Sequence, residues 1–371
     1  MNICFYAPFK HLMHPDPSGD QTIGKGLYSY LERKGHTVWT IGTFRCRWIY
    51  WKPWRFPQIL LERRRAMRKV SQNRPDLWLT YHTYYKAPDI IGPAVCGHSR
   101  LPYIIFQGVY ATKRRRRIKT WPGFFLNTKA LRSARYVFTN KRIDLLNLKR
   151  IVPGNRLTYV TPGLATEKFS FSPSSRGEMR QSWQVGDDPV ILSAAMFRSD
   201  VKTEGLALLI RACGRLHRMG RRFTLVIAGD GIMKNYLTGL AAKQIPGKTR
   251  FIGKVAREQM AAFYSAGDMF VFPGIRESLG MVFLEAQSCG IPAIAFSNGG
   301  TPEVIRHGKT GILAPAFDFG SFVSGIDLLL ERPDLRQRMG QRARAYVREE
   351  HDIDRNYRII EQTLKEIAYG Q

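Results

Sequence analysis

The stretch Phe272–Gly290, FPGIRESLGMVFLEAQSCG, holds the residue types in this chain best suited to chemistry. A short apolar run ends at Phe272–Pro273. A loop follows, and the residues from Gly280 onward read as a helix that closes before Gly290. The backbone N–H groups of Leu279, Gly280, Met281 and Val282 then lie at a helix N-terminus. The first amides of a helix lack intrahelical partners and attract an anion such as phosphate. Glu277 stands in the loop just before that N-terminus, and Glu285 lies about one turn into the helix. Two acceptor-only carboxylates flanking a phosphate cradle suit a ligand with hydroxyls on both sides of a diphosphate. A nucleotide sugar is such a ligand, with sugar hydroxyls at Glu277 and ribose hydroxyls at Glu285. Glu285 also sits inside the apolar run MVFLEA, where a charge without a partner is costly.

Short apolar, β-branched runs recur along the chain with helical patterns between them. In the front half they are Ile3–Ala7, Thr37–Gly42, Leu77–Tyr81, Tyr103–Phe106, Tyr136–Thr139 and Leu157–Thr161. In the back half they are Val190–Ala194, Phe223–Ala228, Arg250–Gly253, Met269–Phe272, Ala293–Phe296 and Gly311–Ala314. Continuous apolar runs that each return through a helix are the mark of buried parallel strands. Two such sets predict an α/β chain of two doubly wound, Rossmann-like domains. Pro, Gly and Ser cluster over Thr161–Arg176, which places the boundary there. The domains are expected at 1–168 and 169–352, with an amphipathic helix over Ile353–Ile367 in the tail 353–371. Ligands of open α/β sheets sit at the carboxyl ends of the strands, so two facing domains would enclose a cleft for two substrates.

The 371 residues carry 58 Lys and Arg against 29 Asp and Glu, a formal net charge of +29. Residues 1–170 hold 31 of those cations and 8 of the acids, so the front half carries the field. Such a surplus calls for an anionic partner. Five scattered Cys without a C-x-x-C spacing argue against a disulfide framework and a zinc site and for a reducing compartment. The opening MNICFYAP reads as a first strand rather than a secretory signal, and no apolar run has the length of a membrane span.

Glu277 and Glu285, a Glu-x7-Glu pair on a strand–loop–helix, resemble the signature of the family 4 retaining glycosyltransferases with the GT-B fold. AGDG at Ala228–Gly231, FIGKV at Phe251–Val255, YSAGD at Tyr264–Asp268, SNGGTPEV at Ser297–Val304 and GKTGIL at Gly308–Leu313 follow the family's order. In the front half, Ser18–Gly19 and RKGHT at Arg33–Thr37 resemble its glycine loop and first helix. The resemblance implies that Glu277 contacts the donor sugar near the reacting carbon and Glu285 the ribose. It places the diphosphate on the Leu279–Val282 amides, Gly19 close to it, and Glu303 at an acidic position near the pocket. The family carries an Arg, then a Lys before a Gly, after the first strand of the back domain. Arg198 matches that Arg, but Glu204 precedes Gly205, and Lys202 is the nearest Lys. Arg198 and Lys202 are therefore the cations expected to stabilise the leaving diphosphate. Gln107 stands where the family usually has His, and it can bond a sugar hydroxyl but cannot act as acid or base. His82 resembles a family His on the acceptor side. No metal and no cofactor beyond the nucleotide-sugar co-substrate are expected.

Three basic runs mark the front half: Arg45–Arg55, Glu62–Lys69 and Lys113–Lys119, the last followed by Trp121 and Phe124–Phe125. Trp48, Trp51, Trp54 and Arg114, Arg115, Arg116 and Arg117 read as a surface for an anionic membrane. Aromatic rings sit at headgroup level there, and each cation contributes about 1 kcal/mol. The expectation is a metal-independent, retaining glycosyltransferase. It would move a sugar from a nucleotide diphosphate, UDP by preference, to a lipid-linked, lipopolysaccharide or polysaccharide acceptor. It would work in the cytoplasm, peripherally on the inner face of the cell membrane. A non-catalytic nucleotide-sugar-binding protein of the same fold is the alternative, and a nucleic-acid-directed basic protein ranks below it.

Overall fold

A computed structural model describes residues 1–14 and 19–370. Ser18 and Gln371 lie outside the described residues, so the Ser18 half of the Ser18–Gly19 loop and the last tail position carry no structural account. The chain divides into two compact units, Met1–Gly163 with Ile353–Gln371 and Leu164–Asp352.

The front unit is built on β1 (Asn2–Tyr6), β2 (Thr37–Thr40), β3 (Leu77–Thr83), β4 (Tyr103–Gly108), β5 (Tyr136–Thr139) and β6 (Leu157–Tyr159). All six are parallel, in the order β2-β1-β3-β4-β5-β6. The back unit is built on β7 (Val190–Ala194), β8 (Thr224–Ala228), β9 (Thr249–Phe251), β10 (Met269–Val271), β11 (Ala293–Phe296) and β12 (Gly311–Ala314). They are parallel in the order β12-β11-β10-β7-β8-β9. The apolar runs form strands because helices cover both sheet faces; β8 and β11, for instance, are buried at every position.

Strand order fixes where a ligand can sit. In doubly wound sheets the crevice opens where the strand order reverses, outside the carboxyl ends. The reversal lies between β1 and β3 in the front unit and between β7 and β10 in the back unit. The loops that follow β7 and β10 carry Arg198, Lys202 and Glu277. The carboxyl ends of β3 and β4 carry His82 and Gln107.

Two sequence expectations are corrected. The runs ending at Tyr81 and Phe106 continue as strand to Thr83 and Gly108, which places His82 and Gln107 within β3 and β4. The single tail helix is two helices, Ile353–Asn356 and Arg358–Tyr369. The chain breaks at Tyr357, whose buried ring packs on Tyr30 at 5.7 Å and Phe106 at 5.8 Å. Asp354 pairs with Arg33 at 3.2 Å and Glu361 with His36 at 3.3 Å. The tail thus completes the front unit.

Candidate functional site

The loop after β10 turns sharply. Arg276 has φ 53° and Gly280 φ 77°. Gly280 precedes the helix Met281–Ser288 in a left-handed conformation without a side-chain cap. A Cβ there would lie 2.5 Å from the Phe283 ring, so both backbone and space require glycine. The Leu279 and Met281 side chains are buried and anchor the turn, and Val282 is half-buried. Their amides belong to the helix N-terminus, which has no intrahelical use for them. From the other side, the Gly300 N–H donates to the Glu277 carbonyl at 3.0 Å, and a Cβ on Gly299 would lie 2.2 Å from that oxygen. Glu303, half-buried in the short helix Thr301–Val304, follows this glycine pair.

After β7, Asp200 caps the helix Val201–Arg218 by accepting the Lys202 N–H at 2.8 Å. Lys202 then projects to the β10 loop. Its ammonium forms an ion pair and hydrogen bond with Glu277 Oε2 and stands 5.1 Å from the centre of the Phe272 ring. Glu277 Oε1 meanwhile accepts the Ser278 N–H at 3.2 Å. Lys202 and Glu277 therefore meet at the back switch point. Arg198 sits on the same loop but is exposed, with its guanidinium 2.9 Å from Met196 Sδ. Glu204 lines a cavity of about 630 Å³ with Asp200, Arg211 and Arg276.

Glu285 has partners that spacing did not foresee. It is buried, with Oε1 on Arg257 Nη1 at 2.5 Å and Oε2 accepting from Tyr264 Oη at 2.9 Å. Burial pushes its carboxyl above the usual range, and Arg257 and Tyr264 pull it partly back. Arg257 is itself half-exposed and lies on the Phe169 ring at 4.7 Å. Sequence reasoning missed Arg257, since nothing in AREQ signals a partner 28 residues on.

In the front unit, His82 Nδ1 meets Asp20 Oδ1 at 2.5 Å, and the ring stacks on Tyr84 at 4.8 Å with Phe9 edge-on at 5.5 Å. Burial pushes the Asp20 carboxyl up, but the His82 charge and hydrogen bond, with Lys141 and Tyr81, hold it below its ordinary value. Asp20 was not singled out, although it follows Gly19, the first residue of the helix Gly19–Arg33. A Cβ at Gly19 would meet nothing within 4 Å among the described residues. Gln107 is buried with φ 65°, and its Oε1 has no hydrogen-bond partner among the described residues. His82 shares the left-handed backbone, φ 57°. Two strained non-glycine residues thus stand on neighbouring strand ends beside the front switch point.

The basic and aromatic residues separate. Trp48 is half-buried, between Lys86 at 5.9 Å and Lys119 at 5.8 Å from its ring. Arg114 is stacked on Tyr85 at 4.5 Å. Trp51, Trp54 and Arg115–Arg117 are exposed. Trp48 and Arg114 therefore build the surface from beneath, since their polar and π partners are already protein groups.

Two Rossmann-like units of parallel six-stranded sheet, with a carboxylate–lysine pair at the switch point of one, define the GT-B class of fold. Residues 175–346 match the family described as glycosyl transferases group 1. A GDP-mannose-dependent α-(1-6)-phosphatidylinositol monomannoside mannosyltransferase of Mycolicibacterium smegmatis is 31% identical over 196 residues. That alignment covers 51% of this chain and 50% of the relative, so the chain spans about half the length of the curated relatives it matches. Among solved structures, sucrose-phosphate synthase from Thermosynechococcus elongatus superposes with TM-score 0.78 at 16% identity over the whole of both chains. Anabaena HepE in complex with UDP-glucose superposes with TM-score 0.76 at 17% identity, covering 98% of this chain and 99% of that one.

Proposed function

We propose that this protein transfers a glycosyl group from a nucleotide diphosphate sugar to a lipid-linked or saccharide acceptor, with retention of configuration. The observation that carries this reading is the Lys202–Glu277 pair at the β7/β10 switch point, beside the open helix N-terminus at Met281. The diphosphate rests on the Leu279–Val282 amides. Lys202 turns from Glu277 toward it, and Arg198 joins from the same loop; fixed donors aimed at developing charge lower the barrier most. Glu277 then holds a hydroxyl of the donor sugar. Arg257 carries the positive charge nearest the buried Glu285, and this pair faces the ribose. No metal is required in this scheme, because two cations and a helix terminus meet the leaving group. The leaving phosphate takes the acceptor hydroxyl's proton as the acceptor oxygen bonds to the sugar carbon. A UDP-linked donor is the first choice and a GDP-linked one the second, in keeping with the ligands named for the relatives.

The test is a thermal-shift screen with UDP, GDP, ADP, TDP and CDP on the full chain, repeated on Lys202→Ala and Glu285→Gln. One nucleotide should raise Tm, and both variants should lose most of that shift. A nucleotide shift without turnover of its sugar would make the protein a binder rather than an enzyme. No shift with any nucleotide would remove the donor site from the back unit.

A further inference from the structure

A separate face of the front unit combines an apolar groove with dense positive charge. The groove, about 350 Å³, is lined by the aliphatic side chains of Ile49, Ile59, Leu60, Ile90 and Leu126 with the Tyr50 and Phe56 rings, and Arg63 closes one side. Arg63 is fixed there by two bonds to the Ile90 carbonyl, at 3.1 and 2.7 Å from Nε and Nη2. Phe56, Leu60, Trp54, Trp121, Phe125 and Ile118 are each half-exposed or more.

These residues come from distant segments but form one surface. Trp51 Nε1 donates to the Lys119 carbonyl at 2.9 Å. A Cβ on Gly123 would press on the Tyr50 ring at 2.4 Å, and Trp121 packs on Phe125 at 5.2 Å. Residues 45–69 and 111–125, which build this face, hold fifteen Lys and Arg and one acid, Glu62. Glu62 is paired with Arg65. Single exposed apolar residues are ordinary, but a cluster around a groove with a cationic rim marks a binding surface. Among the described residues no helix is long and apolar enough to cross a membrane, so such a surface would act from one side.

We propose that this face docks on an anionic phospholipid bilayer and takes a lipid hydrocarbon chain into the Ile49–Leu60–Leu126 groove. The exposed rings sit at headgroup level, and Arg115–Arg117 and Lys119 meet lipid phosphates. Five of the eight lining residues are aliphatic, which favours a hydrocarbon chain over a nucleic acid base that would stack on ring faces. The inference concerns where the protein works and stands independently of the transfer reaction.

The test is flotation of the full chain with phosphatidylcholine vesicles, with and without phosphatidylglycerol. The same vesicles carrying brominated acyl chains report tryptophan quenching. Binding should be about tenfold or more stronger with phosphatidylglycerol, and bromine should quench. Leu60→Glu, with Leu60→Ser as a milder form, should lose most of the quenching and about tenfold in binding, with Tm and transfer to a soluble acceptor unchanged. Arg115→Ala/Arg116→Ala/Arg117→Ala should lose the phosphatidylglycerol preference. Equal partition with and without phosphatidylglycerol, or binding by both Leu60 variants with full quenching, would overturn the proposal. So would binding without bromine quenching that an oligonucleotide displaces.

Discussion

The two units share an architecture and differ in what they place at the switch point. In the back unit, the β7 and β10 loops bring a lysine to a carboxylate beside a helix N-terminus. The glycines there are demanded by backbone contacts as close as 2.2 Å. In the front unit, the strand ends hold His82 against Asp20 and a Gln107 amide oxygen without a partner among the described residues, on strained backbone. One site is a charged cradle whose shape comes from glycine; the other is a strained edge built on a carboxylate–histidine pair and a glutamine amide.

If the back switch point is the charged one, breaking it should damage chemistry rather than folding. Lys202→Ala is expected to lower turnover by about a hundredfold or more, the scale of losing one preorganised charge at a leaving group. The pair is partly exposed, so its loss should leave Tm nearly unchanged. Steady-state rates with the donor found by the nucleotide screen measure the first, and thermal unfolding the second. A fall in Tm matching the fall in rate would make the pair structural and erase the contrast.

The opposite end of the same sheet sharpens the comparison. Asp268, just before β10, receives Arg176 at 2.8 Å, Arg180 at 3.2 Å and the Val190 N–H at 2.7 Å. Burial pushes its carboxyl up, but the Val190 amide and both arginines hold it below the ordinary value. A carboxyl depressed on folding contributes stability above its ordinary range, near 4, and loses it as the pH falls through the folded value. Asp268→Asn should cost about 2 kcal/mol near neutral pH, and the variant should lack part of the wild type's loss of stability on acidification. Donor binding should not change, because the amino ends of the strands lie away from the crevice. Denaturant melts across pH check the first claim and nucleotide titration the second.

How much was legible follows from how local each feature is. The strands were, because parallel strands buried on both faces write themselves as apolar runs. The Glu277 loop was too, because a carboxylate, a glycine and a helix start lie within a few residues. Lys202 was readable as a cation after β7, but its partner came only with strand order, which sets β7 beside β10. Arg257 on Glu285 and Asp20 on His82 were not readable, since nothing at 28 or 62 positions' remove announces a pairing. The break at Tyr357 was equally hidden, because its cause is the Tyr30 and Phe106 rings of another part of the chain.

The smallest expected effect tests the front edge. A non-glycine residue in the left-handed region costs on the order of 1 kcal/mol, and Gln107 bears that cost at the end of β4. Glycine adopts φ 65° freely, so Gln107→Gly should relieve the strain, and it also removes an amide oxygen that has no partner among the described residues. The loss of packing around a buried side chain opposes this gain, so the net change in stability should stay within about 1 kcal/mol of zero. Turnover should fall nevertheless if the Gln107 amide meets a sugar hydroxyl, as the family resemblance implies. Unchanged kinetics with unchanged stability would leave the strain at Gln107 without a function and would return the whole chemical burden to the back unit.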